Sequence, residues 1–175
     1  MTTSTSSAAM GTATKGIDRV SVSSAAPGTR PVVLISNVVM HYRVSVYNYF
    51  HKRFRDAGYE FSVLTDRLQG ENQRGLDFSL QEVPFRFSQY KRALSEIDPA
   101  AVIIFLHLKD RVLWPLIHWL KWKNIPFAFW TKGGNCDAKG SCLRHELFNY
   151  VHACSDALIL YADSCRSFIK KRYQS

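Results

Sequence analysis

From Pro31 onward, short apolar runs of strand length alternate with amphipathic segments of helix length, and this alternation leaves few folds open. The runs Val32–Ser36, Ala101–Leu106, Pro126–Trp130 and Ala157–Tyr161 are largely apolar at consecutive positions, the signature of strands buried on both faces, and Tyr59–Thr65 reads as a further strand. Between them, Tyr42–Ala57 reads as a helix with Val46, Tyr47, Phe50, Phe54 and Ala57 on one face and Gly58 just past its end. Residues 66–87 form a polar connection that includes a short predicted strand, Gln81–Phe87. Ser88 is placed to cap a helix that Asp98-Pro99 ends at Ile97. A further helix lies within Asp110–Lys123, where Pro115 requires a kink or a late start. Ser141 caps the next, with Leu143, Leu147, Tyr150, Val151 and Cys154 on one face. Asp163 caps a last one through Tyr173. Strands joined one by one through helices form a parallel sheet covered on both sides. Right-handed crossovers make it a doubly wound, mostly parallel α/β sheet of Rossmann-like type.

Residues 1–30 are a different zone. Twelve of the thirty are Ser or Thr, too polar to bury surface that would offset ordering entropy, so a disordered tail is expected before a single domain at 31–175. The tail lacks the apolar core of a signal peptide, and no apolar stretch approaches the roughly 18 residues a membrane-spanning helix needs. The expected location is cytoplasmic, with membrane association left open. The whole chain carries 23 Lys and Arg against 14 Asp and Glu, and residues 31–175 keep 20 against 13, so the folded part is basic in its own right. Cys136, Cys142, Cys154 and Cys165 form no CxxC pair and match no zinc spacing. They read as free thiols, although Cys136 and Cys142 could pair across their loop.

In a doubly wound sheet, ligands bind beyond the carboxyl ends of the strands. That rule selects Asn37, His41, Tyr42, Arg43, His107, Lys109, Lys132, Gly133, Gly134 and Asn135 before any family is considered. In Lys132-Gly-Gly-Asn135 two glycines allow close backbone approach, exposed N–H groups favour an anion, and Lys132 adds a full charge. The same Gly-Gly pair also suits a plain strand-to-helix turn. His107 reads either as a polar catalyst or as an ordinary packed histidine. The phosphate loop GxxxxGK[ST] is absent, and no GxGxxG follows the first strand, which argues against a dinucleotide oxidoreductase. No nucleophile elbow or close carboxylate pair points to hydrolysis.

The stretch Arg111-Val-Leu-Trp-Pro-Leu-Ile-His-Trp-Leu-Lys-Trp-Lys123 sets tryptophans beside lysines, as interfacial helices do, and anionic headgroups would attract the basic domain. A crossover helix lying on the sheet would explain the same residues. No nucleic-acid recognition motif accompanies the charge.

Several phrases, in order, resemble one family. Tyr42-Arg-Val-Ser-Val-Tyr-Asn48, with Asn37 before it, is similar to the "YRVPxFN" phrase of family 4-like glycosyltransferases. Asp98-Pro-Ala-Ala-Val-Ile-Ile-Phe105 resembles their "RPDVVIV" strand entry, and Trp130-Thr-Lys-Gly-Gly134 stands where they have "WGHG". Ser155-Asp-Ala-Leu-Ile-Leu-Tyr-Ala162, followed by Cys165-Arg-Ser-Phe-Ile169, resembles "ADAVLVYSE…RRYL". The resemblance implies the N-terminal half of a GT-B architecture, which binds a glycan or lipid-linked acceptor. A C-terminal domain would then hold the nucleotide-sugar donor, with no metal or other cofactor. It implies an incomplete enzyme without that partner domain, with Asn37, Tyr42, Arg43, Lys132, Gly133, Gly134 and Asn135 as substrate-binding candidates. Lys132 replaces the family's His, so no histidine role carries over to that turn. His107 is the substitute catalytic candidate.

Overall fold

The computed structural model describes residues 30–68, 75–131, 142–163 and 165–167. In chain order the elements are β1 (Val32–Val39), α1 (His41–Asp56), β2 (Phe61–Leu68), β3 (Ser79–Glu82), α2 (Phe87–Ile97), β4 (Ala101–Phe105), α3 (Leu113–Trp122), β5 (Phe127–Thr131), α4 (Cys142–Cys154) and β6 (Ala157–Leu160). They form one six-stranded sheet in the order β3-β2-β1-β4-β5-β6, and every pairing is parallel. The fold is therefore a doubly wound, Rossmann-like α/β sheet. Strand order reverses between β1 and β4, which makes their carboxyl ends the switch point where such sheets open a crevice.

Two apolar layers sandwich the sheet. On one face α1 lays Val44, Tyr47, Phe50 and Phe54 over Val32, Leu34, Phe61, Val63 and Ile103. On the other, α2 and α3 bury Tyr90, Leu94, Leu113, Leu116, Ile117 and Leu120 against Val33, Ile35, Val102, Ile104 and Phe129, with Val151 of α4. Consecutive strand residues thus feed opposite cores, which is why the runs are apolar throughout.

Helix ends follow local chemistry. α1 closes in a Schellman motif: Tyr59 N–H donates to Phe54 O at 2.8 Å and Gly58 N–H to Arg55 O at 2.9 Å, with Gly58 at φ 82°. α3 closes the same way, through Ile125 N–H to Leu120 O and Asn124 N–H to Lys121 O, with Asn124 at φ 54°. Pro115 is the third residue of α3, where its missing N–H is one of the unpaired four, so the helix starts late. The predicted strand Gln81–Phe87 is instead Ser79–Glu82, because Pro84 interrupts it and Phe87 already begins α2. The residue flanking α2 is Arg86 rather than Ser88, and no side chain caps it. Ser141 and the Lys132–Asn135 loop lie outside the described residues, as does most of the segment expected to be helical from Asp163 to Tyr173.

The Trp–Lys helix divides between two roles. Trp119 faces the core, Lys121 is held by Asp156 at 2.9 Å, and Trp122 is 72% exposed with the Lys123 ammonium 4.8 Å from its ring centroid. Among the described residues no helix is long and apolar enough to cross a membrane. Cys154 and Cys165 are free thiols.

Candidate functional site

The carboxyl edge of the sheet carries an aromatic wall. Phe105 ends β4, Trp130 stands one residue before the end of β5, and Tyr161 follows β6 directly. All three lie on the α1 face, because each is two residues beyond an inward-facing neighbour: Ile103, Ala128 and Ile159. The register Ile103↔Ala128, continued by two residues, sets Phe105 beside Trp130 with ring centroids 4.9 Å apart. Trp130 and Tyr161 are 5.7 Å apart.

The first turn of α1 closes this wall. Arg43 is half-buried, its guanidinium 4.1 Å from the Phe105 ring centroid and 5.3 Å from that of Tyr42. Aromatic faces partly replace the water that such a charge gives up. No carboxylate among the described residues pairs with it. The same turn contains no acidic residue, and no side chain caps Met40, the residue before it. One turn further on, the Tyr47 ring is wholly buried, edge-on to Phe78 at 5.7 Å and to Trp130 at 6.3 Å. Its hydroxyl has no hydrogen-bond partner. Burial pushes the Tyr47 phenol pKa up; Ser36 and Arg43 beside it pull the other way, although neither sits at hydrogen-bonding geometry. Ser36 donates its own proton to Val38 O at 3.0 Å. Partial burial likewise raises the Tyr161 phenol, against the nearby Arg43 charge.

Of the sequence-derived candidates, Tyr42 and Arg43 meet at this wall. Asn37 is half-buried near the carboxyl end of β1, at the same edge. His107 is exposed two residues past β4, in a turn where its N–H donates to Asp110 Oδ2 at 2.7 Å and its carbonyl accepts from Asp110 N–H at 2.9 Å. Lys132, Gly133, Gly134 and Asn135 lie outside the described residues, directly after β5. Asn48, within the Tyr42–Asn48 phrase, serves the fold instead, because its side chain clamps Gly75 O at 2.7 Å and Asp77 N–H at 3.1 Å. Sequence reasoning missed Phe105, Trp130, Tyr161 and Tyr47. The available signal was an aromatic residue at or next to the end of each of three successive apolar runs. Among the described residues, no three His, Cys, Asp or Glu side chains converge as metal ligands would.

No family model and no curated protein sequence matches the chain. Among solved structures it is similar to MurG of Acinetobacter baumannii, at 12% identity and a TM-score of 0.47, over 74% of this chain and 40% of that one. It is also similar to the UDP-glucose 4-epimerase of Thermus thermophilus in complex with NAD, at 13% identity and a TM-score of 0.46, over 70% of this chain and 50% of that one. The chain thus spans half or less of the length of these two proteins, and the Rossmann-like class rests on its own strand order and parallel register.

Proposed function

We propose that this chain is the N-terminal, acceptor-binding half of a GT-B glycosyltransferase, and that the complete enzyme moves a sugar from a nucleotide donor to a glycan or lipid-linked acceptor. The observation that carries the reading is the aromatic wall at the switch point, where Tyr42, Arg43, Phe105, Trp130 and Tyr161 cluster and no glycine-rich turn of a dinucleotide site follows β1. Aromatic faces hold the C–H face of a sugar, and the order of the family-like phrases along the chain agrees with this use. A transferase must position an acceptor hydroxyl and stabilise a departing phosphate. Asn37, Tyr42 and Arg43 take the acceptor side. Lys132, Gly133, Gly134 and Asn135, next in sequence after β5, take the phosphates of a donor held by a C-terminal domain in this reading. His107, exposed beyond β4, is the candidate base. No metal enters this scheme.

The test is transfer of radiolabelled sugar from nucleotide donors to glycan and lipid-linked acceptors by the full-length protein. Loss of transfer in the Arg43→Ala, Lys132→Ala double variant is expected. Unchanged transfer would remove both residues from the site.

A second reading, a non-catalytic module that docks on an anionic membrane, is favoured by Trp122 beside Lys123 at the end of α3. It expects flotation with anionic vesicles that Trp122→Ala with Lys123→Gln abolishes. No flotation at low salt would end that reading.

A further inference from the structure

Two neighbouring groups at the switch-point edge have no hydrogen-bond or ion-pair partner among the described residues, and both favour the same chemistry. Arg43 is a half-buried guanidinium with aromatic neighbours and no carboxylate partner among the described residues. Tyr47, wholly buried one turn along the same helix, keeps a hydroxyl with no hydrogen-bond partner among the described residues. A buried hydroxyl is normally satisfied, so an orphan beside an unpaired cation marks a place where a ligand supplies the missing atoms. The planar guanidinium selects an oxyanion that can take two parallel hydrogen bonds, a carboxylate or a phosphate. The neighbouring rings select the rest of the ligand. Phe105 and Trp130 are inclined at 59° and Trp130 and Tyr161 at 33°, so they form a curved wall rather than a parallel slot. Such a wall suits a puckered pyranose better than a flat base.

We propose that this aromatic wall binds a sugar that carries an oxyanion, its ring against Trp130 and Tyr161 and its charge on Arg43 with the Tyr47 hydroxyl. This rests on reading the wall as the glycan site, and it narrows the acceptor to a phosphorylated or uronic-acid glycan.

Isothermal titration of the chain with glucose 1-phosphate, glucuronate, methyl glucoside, inorganic phosphate and UMP tests it. Both charged sugars should bind at least tenfold more tightly than methyl glucoside and than inorganic phosphate. Glucose 1-phosphate against glucuronate then tells phosphate from carboxylate. Arg43→Gln should erase the charged sugars' advantage while leaving methyl glucoside unchanged. Tyr161→Ala, at a half-exposed position that the fold tolerates, should weaken every sugar and leave inorganic phosphate as it was. Equal binding of charged and neutral sugars, an advantage that survives Arg43→Gln, inorganic phosphate binding as tightly as the sugar phosphate, or tighter binding of UMP would each overturn the proposal. Charged-sugar binding without any transfer by the full-length protein would count against the transferase alone. Transfer to a neutral acceptor that ignores Arg43→Gln would count against this subsite alone.

Discussion

Replacing Tyr47 by Phe should make the protein more stable and worse at binding. The ring is fully buried and packs edge-on against Phe78 and Trp130, contacts a phenyl ring keeps. What is lost is a hydroxyl that left water and found no partner. An unsatisfied buried hydroxyl costs about 1–3 kcal/mol. The void left by one oxygen, ~10 Å³, returns only ~0.2 kcal/mol of that at the usual cavity coefficient. The net gain is about 1–3 kcal/mol, at roughly 4 °C in Tm per kcal/mol for a domain of this size. Urea titration followed by circular dichroism measures it, with an unchanged slope showing that the same surface unfolds. Saturating glucose 1-phosphate should stabilise the wild type more than the variant, because only the wild type offers the hydroxyl to the ligand. A Tyr47→Phe protein less stable than wild type by ~1 kcal/mol would mean that the hydroxyl is bonded in the free protein. Tyr47 would then have no unmet hydrogen bond to offer a ligand.

Other perturbations have equally definite outcomes. Asp156 accepts Phe127 N–H at 2.9 Å and Lys121 Nζ at 2.9 Å, and these, the backbone bond first, hold its carboxyl below the usual value. Its contribution is therefore present above the unfolded carboxylate pKa of about 4 and is lost as pH falls through the lowered native value; Asp156→Asn should flatten the acid limb of the stability–pH curve, and an unaltered limb would contradict the assignment. Leu94 is fully buried between α2 and the sheet, so Leu94→Ala should cost about 2–5 kcal/mol in the same urea titration. Asn124 holds φ 54° at the end of α3; Asn124→Gly should gain about 0.5 kcal/mol and Asn124→Ala lose about 1 kcal/mol, an order that thermal melting would reveal.

Much of the fold was legible because the determinants are local. Gly58 marks the end of α1 by its positive φ, Pro115 delays α3, and the apolar runs locate the strands. The one misplaced strand, Gln81–Phe87, had the alternation Val83, Phe85, Phe87. Those side chains do bury, but from the turn before α2, where Phe85 N–H is held by Asp66 Oδ1 at 2.9 Å across 19 residues. A pairing over that separation leaves no trace in a local pattern. Which tryptophan of the Trp–Lys helix meets the core likewise depended on which way the helix turned. Trp119 went to the core and Trp122 to solvent, three residues apart.

The amino-acid order alone determined the α/β alternation and the parallel sheet, since burial on both faces, helix stops and crossover handedness act over a few residues or follow from chirality. It also singled out Tyr42 and Arg43. Only the tertiary structure decided that Phe105, Trp130 and Tyr161, drawn from three strands, stand side by side with Arg43 against the first ring. Only it decided that the Tyr47 hydroxyl is buried without a partner among the described residues. Register between strands sets that neighbourhood, and register comes from packing of the whole sheet rather than from any one segment.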